Sequence, residues 1–278
     1  MRGTAKGPSR ALRIGSPLVA TLYLNEDLHP DAFAIGARVP VWGGEARHAA
    51  QVSRVRTGER IGIGDGRGRI AWGPVVHVAN DQVAITAESI QVDERPAPAL
   101  RLVQALAKGD RDELAIQAAT ELGVARVVPW QAARSVPVWK GDKVAKGLER
   151  WRSVVREAAK QAIRPTIPEV GGLLTTKSLI ESIGAGDPPV SGDAFRALTL
   201  VLEPSGRRPL SAFLDPGTLA GVEAITLVAG PEGGISPEEL VQLEAAGAAI
   251  VRLGSEVLRT STAGPAALAA IHALLGRW

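Results

Sequence analysis

The segment Gly230–Gly234, with the sequence Gly-Pro-Glu-Gly-Gly, contains the residues best suited to hold a ligand. The preceding residues Ile225–Ala229 form a short apolar run, which predicts a strand buried on both faces of a parallel sheet. Glycines expose their backbone N–H groups to an approaching molecule. Because ligands of open α/β sheets bind at the carboxyl ends of strands, this segment is a candidate binding loop. Its spacing is equally compatible with a tight turn that binds nothing.

The spacing of these glycines argues against two common nucleotide sites. A Walker-type phosphate loop needs Gly-Lys followed by Ser or Thr, and no such sequence follows Gly234. A dinucleotide-binding loop needs Gly-x-Gly-x-x-Gly, whereas the spacing here is Gly-x-x-Gly-Gly. An NTPase or a nicotinamide-dependent dehydrogenase is therefore disfavoured.

Further segments predict elements that would position this loop. Ser236, Pro237 and Glu239 predict a helix that begins with a capping box. The runs Leu198–Leu202 and Ala249–Leu253 predict two more strands, which end at Glu203-Pro204 and at Gly254. Three such strand ends side by side would together enclose one pocket.

The sequences GPEGGISPEE (230–239) and LGSEVLRTSTA (253–263) together resemble the RsmE family of ribosomal RNA uridine-N3 methyltransferases, which belong to the SPOUT superfamily. The segments Glu121–Gly123 and Arg134-Ser135 are also similar to signatures of this family. The resemblance extends over nearly the whole chain. It implies a trefoil-knotted α/β domain that binds S-adenosylmethionine, preceded by a small PUA-like β-barrel.

In such a protein, backbone amides and apolar walls from three loops would hold the adenosine of the cofactor. The resemblance thereby assigns cofactor binding to Leu202, Glu203, Pro204, Gly230, Pro231, Glu232, Gly233, Gly234, Ile235, Leu253, Gly254, Val257, Leu258 and Thr260.

Methyl transfer from this donor requires neither a metal nor a covalent nucleophile, which is compatible with a chain that has 4 His and no Cys. Uracil N3–H is a weak acid, so the site should stabilise the anion that develops as the proton leaves. Arginine suits that role because it is always charged. Arg259 is the first catalytic candidate and Arg134 the second, and no residue identifies itself as the base. His48 and His272 are interpreted as ordinary polar positions.

The composition sets limits on location and stability. The chain has 278 residues with 45% hydrophobic content, enough for one large domain or two smaller ones. Without cysteine there are no disulfides and no zinc–cysteine sites. No run of about 18 apolar residues is present, so the sequence predicts no membrane span and a cytoplasmic protein.

The chain divides into four predicted segments. Residues 1–17 are basic and predict a flexible arm, and residues 18–91 contain short β-like runs typical of a small barrel, interrupted by a helix at Glu45–Val55. Residues 92–99 contain two prolines and predict a linker. Residues 100–278 alternate strands with helices, which indicates an α/β domain.

Several helices in the last segment can be placed by periodicity. They are predicted at Asp110–Leu122, Asp142–Arg164, Thr176–Ile183 and Ala266–Leu275, with a loose insertion at Gly184–Asp193. The apolar helix Ala266–Leu275 could form the dimer interface that is typical of SPOUT enzymes, or it could be buried within one subunit.

The net charge of +3 arises in the first third of the chain, a mild indication of a polyanionic partner. A basic stripe with four-residue spacing also follows the helix Asp142–Arg164. The predicted RNA-binding residues are Arg54, Arg56, Arg67, Arg69, Arg152, Arg156, Lys160 and Arg164. A solvated charged face is the alternative for each of them.

The predicted substrate is therefore a uridine of small-subunit ribosomal RNA, and the predicted assembly is a homodimer. Two alternatives stay open: an enzyme of the same fold that acts on another RNA such as tRNA, and an RNA-binding protein without catalysis. Ser261 keeps the second alternative open, because the family usually has Glu at this place in its Thr-Glu-Thr-Ala sequence.

Overall fold

The computed structural model describes residues 21–185 and 196–278. The predicted arm at 1–17 lies outside the described residues, as does most of the predicted insertion at 184–193. The described residues form two compact units, one comprising 21–65 together with Ile70–Gln91, the other Gly66–Arg69 together with 92–185 and 196–278. Within the described ranges, none of the helices combines the length and apolar character that crossing a membrane requires.

The first unit is built on a six-stranded sheet. The strand order is β1-β3-β4-β5-β2, with β6 paired to β4. Strands β1 and β3 run parallel, while β3–β4, β4–β5 and β2–β5 are antiparallel. The strands are β1 (Leu22–Leu24), β2 (Arg38–Trp42), β3 (Arg60–Gly64), β4 (Arg69–Val78), β5 (Gln82–Thr86) and β6 (Ser89–Val92).

One helical stretch covers this sheet, and it differs from the prediction. The short helix α1 (Gly43–Arg47) continues as a π-helical turn at His48–Val52, instead of one α-helix over 45–55. The stretch ends at Val52 and cannot continue through Arg54, whose φ of 52° lies outside the right-handed helical region. A 3-10 turn at Pro30–Ala32 precedes β2.

The second unit contains an eight-stranded sheet in the order β10-β8-β7-β13-β11-β14-β12, with β9 paired to β8. All of its strand pairs are parallel, which confirms the predicted parallel α/β architecture. The strands are β7 (Ala99–Ala105), β8 (Arg126–Gln131), β9 (Glu169–Val170), β10 (Leu174–Thr175), β11 (Ala197–Leu202), β12 (Arg208–Pro209), β13 (Ala224–Ala229) and β14 (Ala249–Arg252).

Helices cover both faces of this sheet. The side chains of its central strands alternate between two apolar layers, so that Leu102 and Leu227 pack on one face and Val103 and Val228 on the other. Helices α2, α3 and α8 complete the first layer, and α4 and α7 the second. The helices are α2 (Arg111–Glu121), α3 (Asp142–Gln161), α4 (Thr176–Ala185), α5 (Leu210–Phe213), α6 (Pro216–Leu219), α7 (Pro237–Ala245) and α8 (Thr260–Leu274).

Two helix boundaries of this unit differ from the prediction by three residues or more. Helix α3 ends at Gln161 rather than Arg164, because Ile163 adopts a φ of 53°. Helix α8 begins at Thr260 rather than Ala266 and has Pro265 inside it. A proline at this place removes one backbone hydrogen bond, and the sequence pattern therefore suggested a break that the chain does not make.

Candidate functional site

A cavity of about 530 Å³ lies at the carboxyl edge of the eight-stranded sheet. It is enclosed by the segments that follow β11, β13 and β14, whose ends are adjacent because Leu202 is in register with both Ala229 and Val251. We call it the strand-end cavity. Its lining residues are Arg111, Leu202, Glu203, Pro204, Gly230, Pro231, Glu232, Gly234, Ile235, Leu253, Gly254, Glu256, Val257, Leu258, Arg259, Thr260 and Ala263.

The structure brings the predicted cofactor residues together with one exception, Gly233. A Cβ atom on Gly233 would lie 3.2 Å from the Cβ atom of Arg134, which places this glycine against the neighbouring loop and not on the cavity wall. Arg111, Glu256 and Ala263 line the cavity without having been predicted.

The loop after β13 folds back tightly on itself. A Cβ atom on Gly230 would lie 2.6 Å from Cγ1 of Ile235, so only glycine fits there without a shift. Gly234 has a φ of +72°, which favours glycine as well. The sequence of this loop therefore dictates its fold as well as exposing its backbone.

The predicted capping box anchors this loop to two other elements. Ser236 Oγ accepts from Glu239 N, and Glu239 Oε2 accepts from Ser236 N. The second carboxylate oxygen, Oε1, accepts from Thr176 Oγ1 at 2.6 Å and from Ala133 N at 2.8 Å. One buried carboxylate thus connects the start of α7 with α4 and with the segment that carries Arg134.

The two catalytic candidates occupy different places. Arg259 is the N-cap residue of α8, is exposed, and lines the strand-end cavity. Arg134 does not line the cavity; its Nη1 donates to Gly233 O at 3.1 Å on the outer side of the loop. The geometry therefore ranks Arg259 above Arg134 for contact with a molecule in the cavity.

An ion pair that the sequence did not predict stands at the cavity wall. Arg111 Nη1 lies 2.7 Å from Glu232 Oε1, which also accepts from Lys108 N at 2.9 Å. Burial acts to raise the pKa of Glu232, but the hydrogen bonds from Arg111 and from the backbone outweigh burial and lower it. Glu232 is therefore an anion whose charge is largely balanced by Arg111.

Asp112, which follows Arg111 on α2, has a raised pKa, whereas that of Glu232 is lowered. Asp112 is 6% exposed, and burial raises its pKa to about 6, although backbone N–H groups such as that of Glu113 act to lower it. The first turn of α2 consequently carries a carboxyl group that gains its charge only near pH 6.

The predicted basic stripe on α3 is wrong in its second half. Arg152 is exposed and Arg156 half-buried, but Lys160 is buried at 6% exposure. Arg164 lies beyond the helix, where its Nη1 donates to Thr120 O at 2.7 Å and burial lowers its pKa to about 10. Residues four apart drift by about 40° per step around a helix of 3.6 residues per turn, so the stripe turns towards the core.

The other predicted polar residues differ in their exposure to solvent. In the first unit, Arg54 and Arg56 are exposed; Arg67, in the second unit, is exposed and Arg69 half-buried. His272 is buried and stacks on Trp278 with a centroid distance of 5.5 Å, and burial lowers its pKa. Ser261 is half-buried in the first turn of α8.

The fold and the strand-end cavity define the class of protein. Residues 93–272 match the family model of the RNA methyltransferase domain. The chain is 43% identical to ribosomal RNA small subunit methyltransferase E of Mycobacterium bovis over 94% of each chain, and 30% identical to that of Bacillus subtilis over 83% of this chain and 88% of the relative. It therefore belongs to the ribosomal RNA small subunit methyltransferase E family.

A solved structure supports the same assignment. The Neisseria gonorrhoeae ribosomal RNA small subunit methyltransferase E, determined with bound S-adenosyl methionine, superposes with a TM-score of 0.77 at 25% identity, covering 92% of this chain and 98% of that one.

Proposed function

We propose that this protein transfers a methyl group from S-adenosylmethionine to N3 of a uridine in small-subunit ribosomal RNA. The observation that carries the proposal is the strand-end cavity, which gathers three strand-end segments in a chain of this methyltransferase family. The related Neisseria gonorrhoeae enzyme was solved with that donor bound.

The residues around the cavity fit this donor. A volume of about 530 Å³ is in the range of small-molecule sites. Leu202, Ile235 and Leu258 offer apolar walls for a purine, while the glycine-rich backbone offers N–H groups and Glu203 offers a carboxylate. When bound, the donor supplies a methyl group on a positively charged sulfur, which needs no further activation.

Arg259 has the leading role in the proposed mechanism. Its guanidinium, at the cavity wall, would stabilise the negative charge that develops on the uracil ring as N3 loses its proton. Arg134 is bonded to Gly233 O and would act through the shape of the loop. Water is the candidate proton acceptor.

The nucleic acid would be held by basic residues outside the cavity. Arg54, Arg56, Arg67, Arg69, Arg152 and Arg156 keep at least partial exposure and are the proposed phosphate contacts. As in the SPOUT superfamily, we propose a PUA-like barrel for residues 18–91, a trefoil knot within residues 100–278, and a homodimer. The substrate places this activity in the cytoplasm.

Incubation of the purified protein with methyl-labelled donor and with small-subunit RNA from a strain lacking the gene tests the proposal. We expect label in a single 3-methyluridine, located by mass spectrometry of nuclease fragments. Label in tRNA instead would support the enzyme with another RNA target. RNA binding without any calorimetric signal from the donor would support the non-catalytic alternative.

A further inference from the structure

A buried amide lies directly behind the strand-end cavity. Gln104 is at 0% exposure on β7, a central strand, where it is in register with Ala229 of β13 and Pro129 of β8. Burial of an amide is unfavourable unless its polar atoms are hydrogen-bonded. A glutamine at this position therefore indicates a role that an apolar side chain could not fill.

The side chain begins a chain of hydrogen bonds that ends at the cavity wall. Gln104 Nε2 donates to Thr260 Oγ1 at 2.8 Å and to Ala105 O at 3.1 Å. Thr260 Oγ1 in turn donates to Gly230 O at 2.6 Å. Gln104 is not among the residues that line the cavity, whereas Thr260 and Gly230 both are.

The direction of these bonds is fixed by chemistry. Ala105 O is a carbonyl and can only accept, so the nitrogen of the Gln104 amide must face it. The same nitrogen then donates to the Thr260 hydroxyl, whose single proton is left for Gly230 O. Each bond determines the polarity of the next.

The chain of bonds joins the start of α8 to two neighbouring strands of the sheet. Thr260 begins α8, Gln104 belongs to β7, and Gly230 follows β13, the strand paired with β7. Gly230 is also packed against Ile235 too closely to accept a Cβ atom. The bond from Thr260 thus acts on a loop that has little room to adjust.

We propose that Gln104 is a positioning residue of the methyl-donor site. By directing the Thr260 hydroxyl to Gly230 O, it holds the loop 230–235 and the first turn of α8 at the separation that the donor requires. This inference rests on the proposed function, since the donor is S-adenosylmethionine.

The unpaired atom of the same side chain supports a positioning role. Gln104 Oε1 is buried and has no hydrogen-bond partner among the described residues. A buried acceptor without a partner reduces stability. A residue that served stability alone would not be expected to carry this cost.

Three substitutions separate the roles. Gln104→Glu keeps the shape but replaces the donor with an acceptor, so the Thr260 hydroxyl would turn towards it and leave Gly230 O unbonded. Thr260→Val removes the hydroxyl, and Thr260→Ser retains it. We expect the Kd for S-adenosylmethionine, measured by calorimetry on the full chain, to rise about 10-fold for Gln104→Glu and Thr260→Val, the effect of losing roughly one hydrogen bond. Thr260→Ser should stay within about 2-fold of the wild type on the same scale.

The pH dependence gives a readout that a structural role would not produce. Protonation of the buried carboxyl group that Gln104→Glu introduces restores a hydrogen-bond donor towards Thr260. The affinity of this variant for S-adenosylmethionine should therefore recover as the pH falls. The wild type and Gln104→Leu have no such group and should not show this recovery.

Amide hydrogen exchange of the unliganded protein gives a second readout. Exchange of the amides in 232–235 should accelerate in Gln104→Glu and Thr260→Val and remain at the wild-type rate in Thr260→Ser. The double variant Gln104→Leu/Thr260→Val should exchange no faster than Thr260→Val alone, because both substitutions interrupt the same chain of bonds.

Thr120→Val is the matched control. Thr120 is equally buried, and its hydroxyl donates to Ile116 O at 2.7 Å within α2, away from the cavity. Thr120→Val should lower the stability of the protein. Its affinity for S-adenosylmethionine and its amide exchange at 232–235 should stay unchanged. Should Gln104→Glu fail to fold, the pair Thr260→Val and Thr260→Ser decides the question.

The outcomes distinguish the two proposals. If the wild type does not bind S-adenosylmethionine, the proposed function fails, and with it the inferred role. If the wild type binds but Gln104→Glu and Thr260→Val bind and exchange like it, only the role of Gln104 is overturned.

Discussion

The strand-end cavity was predicted from its strand ends and the family resemblance, and the basic side of α3 from residue spacing. Only the cavity brings its residues together. Thirteen of its predicted residues line the one cavity, whereas the stripe on α3 turns from solvent at Arg152 to the core at Lys160. The difference lies in what defines each site. The cavity depends on where parallel strands end, and the stripe depends on the phase of a helix over several turns.

A site formed by backbone groups at strand ends is easier to predict from sequence than a site formed by side chains on a helix surface. A strand end and a capping box are local features, and the sheet brings them together whatever the surface residues are. The exposure of a lysine on a helix depends on the element packed beside it.

The largest effect should follow loss of the guanidinium at the cavity wall. We expect Arg259→Ala to lower kcat by about 100-fold or more, the effect of removing one donor to a developing anion. The KM for the methyl donor should change little. Arg134→Ala, as the matched variant outside the cavity, should lower kcat less. Equal losses for the two variants would contradict the ranking drawn from the geometry.

A change in the tight loop should have the next largest effect. Gly230→Ala places a Cβ atom within 2.6 Å of Ile235, so the loop must shift and we expect donor affinity to fall by about 10- to 100-fold. Calorimetry on the folded variant measures this loss. Gly172→Ala is the control, because a Cβ atom there meets nothing within 4 Å. Unchanged affinity in Gly230→Ala would show that the loop is softer than its packing indicates.

The buried carboxylate next to the cavity wall should give a pH-dependent effect on stability. Burial raises the pKa of Asp112 to about 6 in the folded state, so its contribution is most favourable at low pH and is lost as the pH rises from about 4 through 6. Asp112→Asn removes that dependence. We expect it to gain about 1–3 kcal/mol of unfolding free energy at pH 8 relative to the wild type, and much less at pH 4.

Denaturant unfolding of both proteins at the two pH values measures the difference. An equal effect of Asp112→Asn at pH 4 and pH 8 would mean that the carboxyl group titrates in the folded protein as it does in water.

The smallest effect should come from the exposed half of the α3 stripe. Arg152→Ala should weaken binding of small-subunit RNA about 2- to 5-fold and reduce its salt dependence, as expected for one lost phosphate contact. Lys160→Ala should instead lower stability by about 1–3 kcal/mol with RNA affinity unchanged. Filter binding across a salt series and thermal unfolding compare the pair. A larger loss of RNA affinity in Lys160→Ala than in Arg152→Ala would show that Lys160 contacts the RNA and that its burial was the wrong reason to exclude it.

The parts of the fold that follow from local signals could be predicted. Ser236 and Glu239 fix the start of α7 between themselves, and the apolar run before Gly230 is long enough for only one buried strand. The start of α8 was missed, because Pro265 suggests a break, whereas the helix continues through it at the cost of one backbone hydrogen bond.

The missed residues of the cavity depend on topology. Arg111 meets Glu232 only because β7 pairs with β13, and 121 positions separate the two residues in the chain. The bond between Gln104 and Thr260 spans 156 positions. No local pattern contains either contact. The Lys-Gly-Asp sequence after β7 marks a strand end and was the only available signal for the first of them.

The pairing of β13 on both sides limits how this chain can change in length. Ala229 is in register with Leu202 on one neighbour and with Gln104 on the other, so the residue that precedes the loop is held by hydrogen-bonded strands on both sides. Deleting one residue from β13 would exchange Leu227 and Val228 between the two apolar layers and retract Gly230 by about 3.3 Å. Insertions and deletions are therefore expected to be excluded here in any functional homologue, even where point substitutions are tolerated.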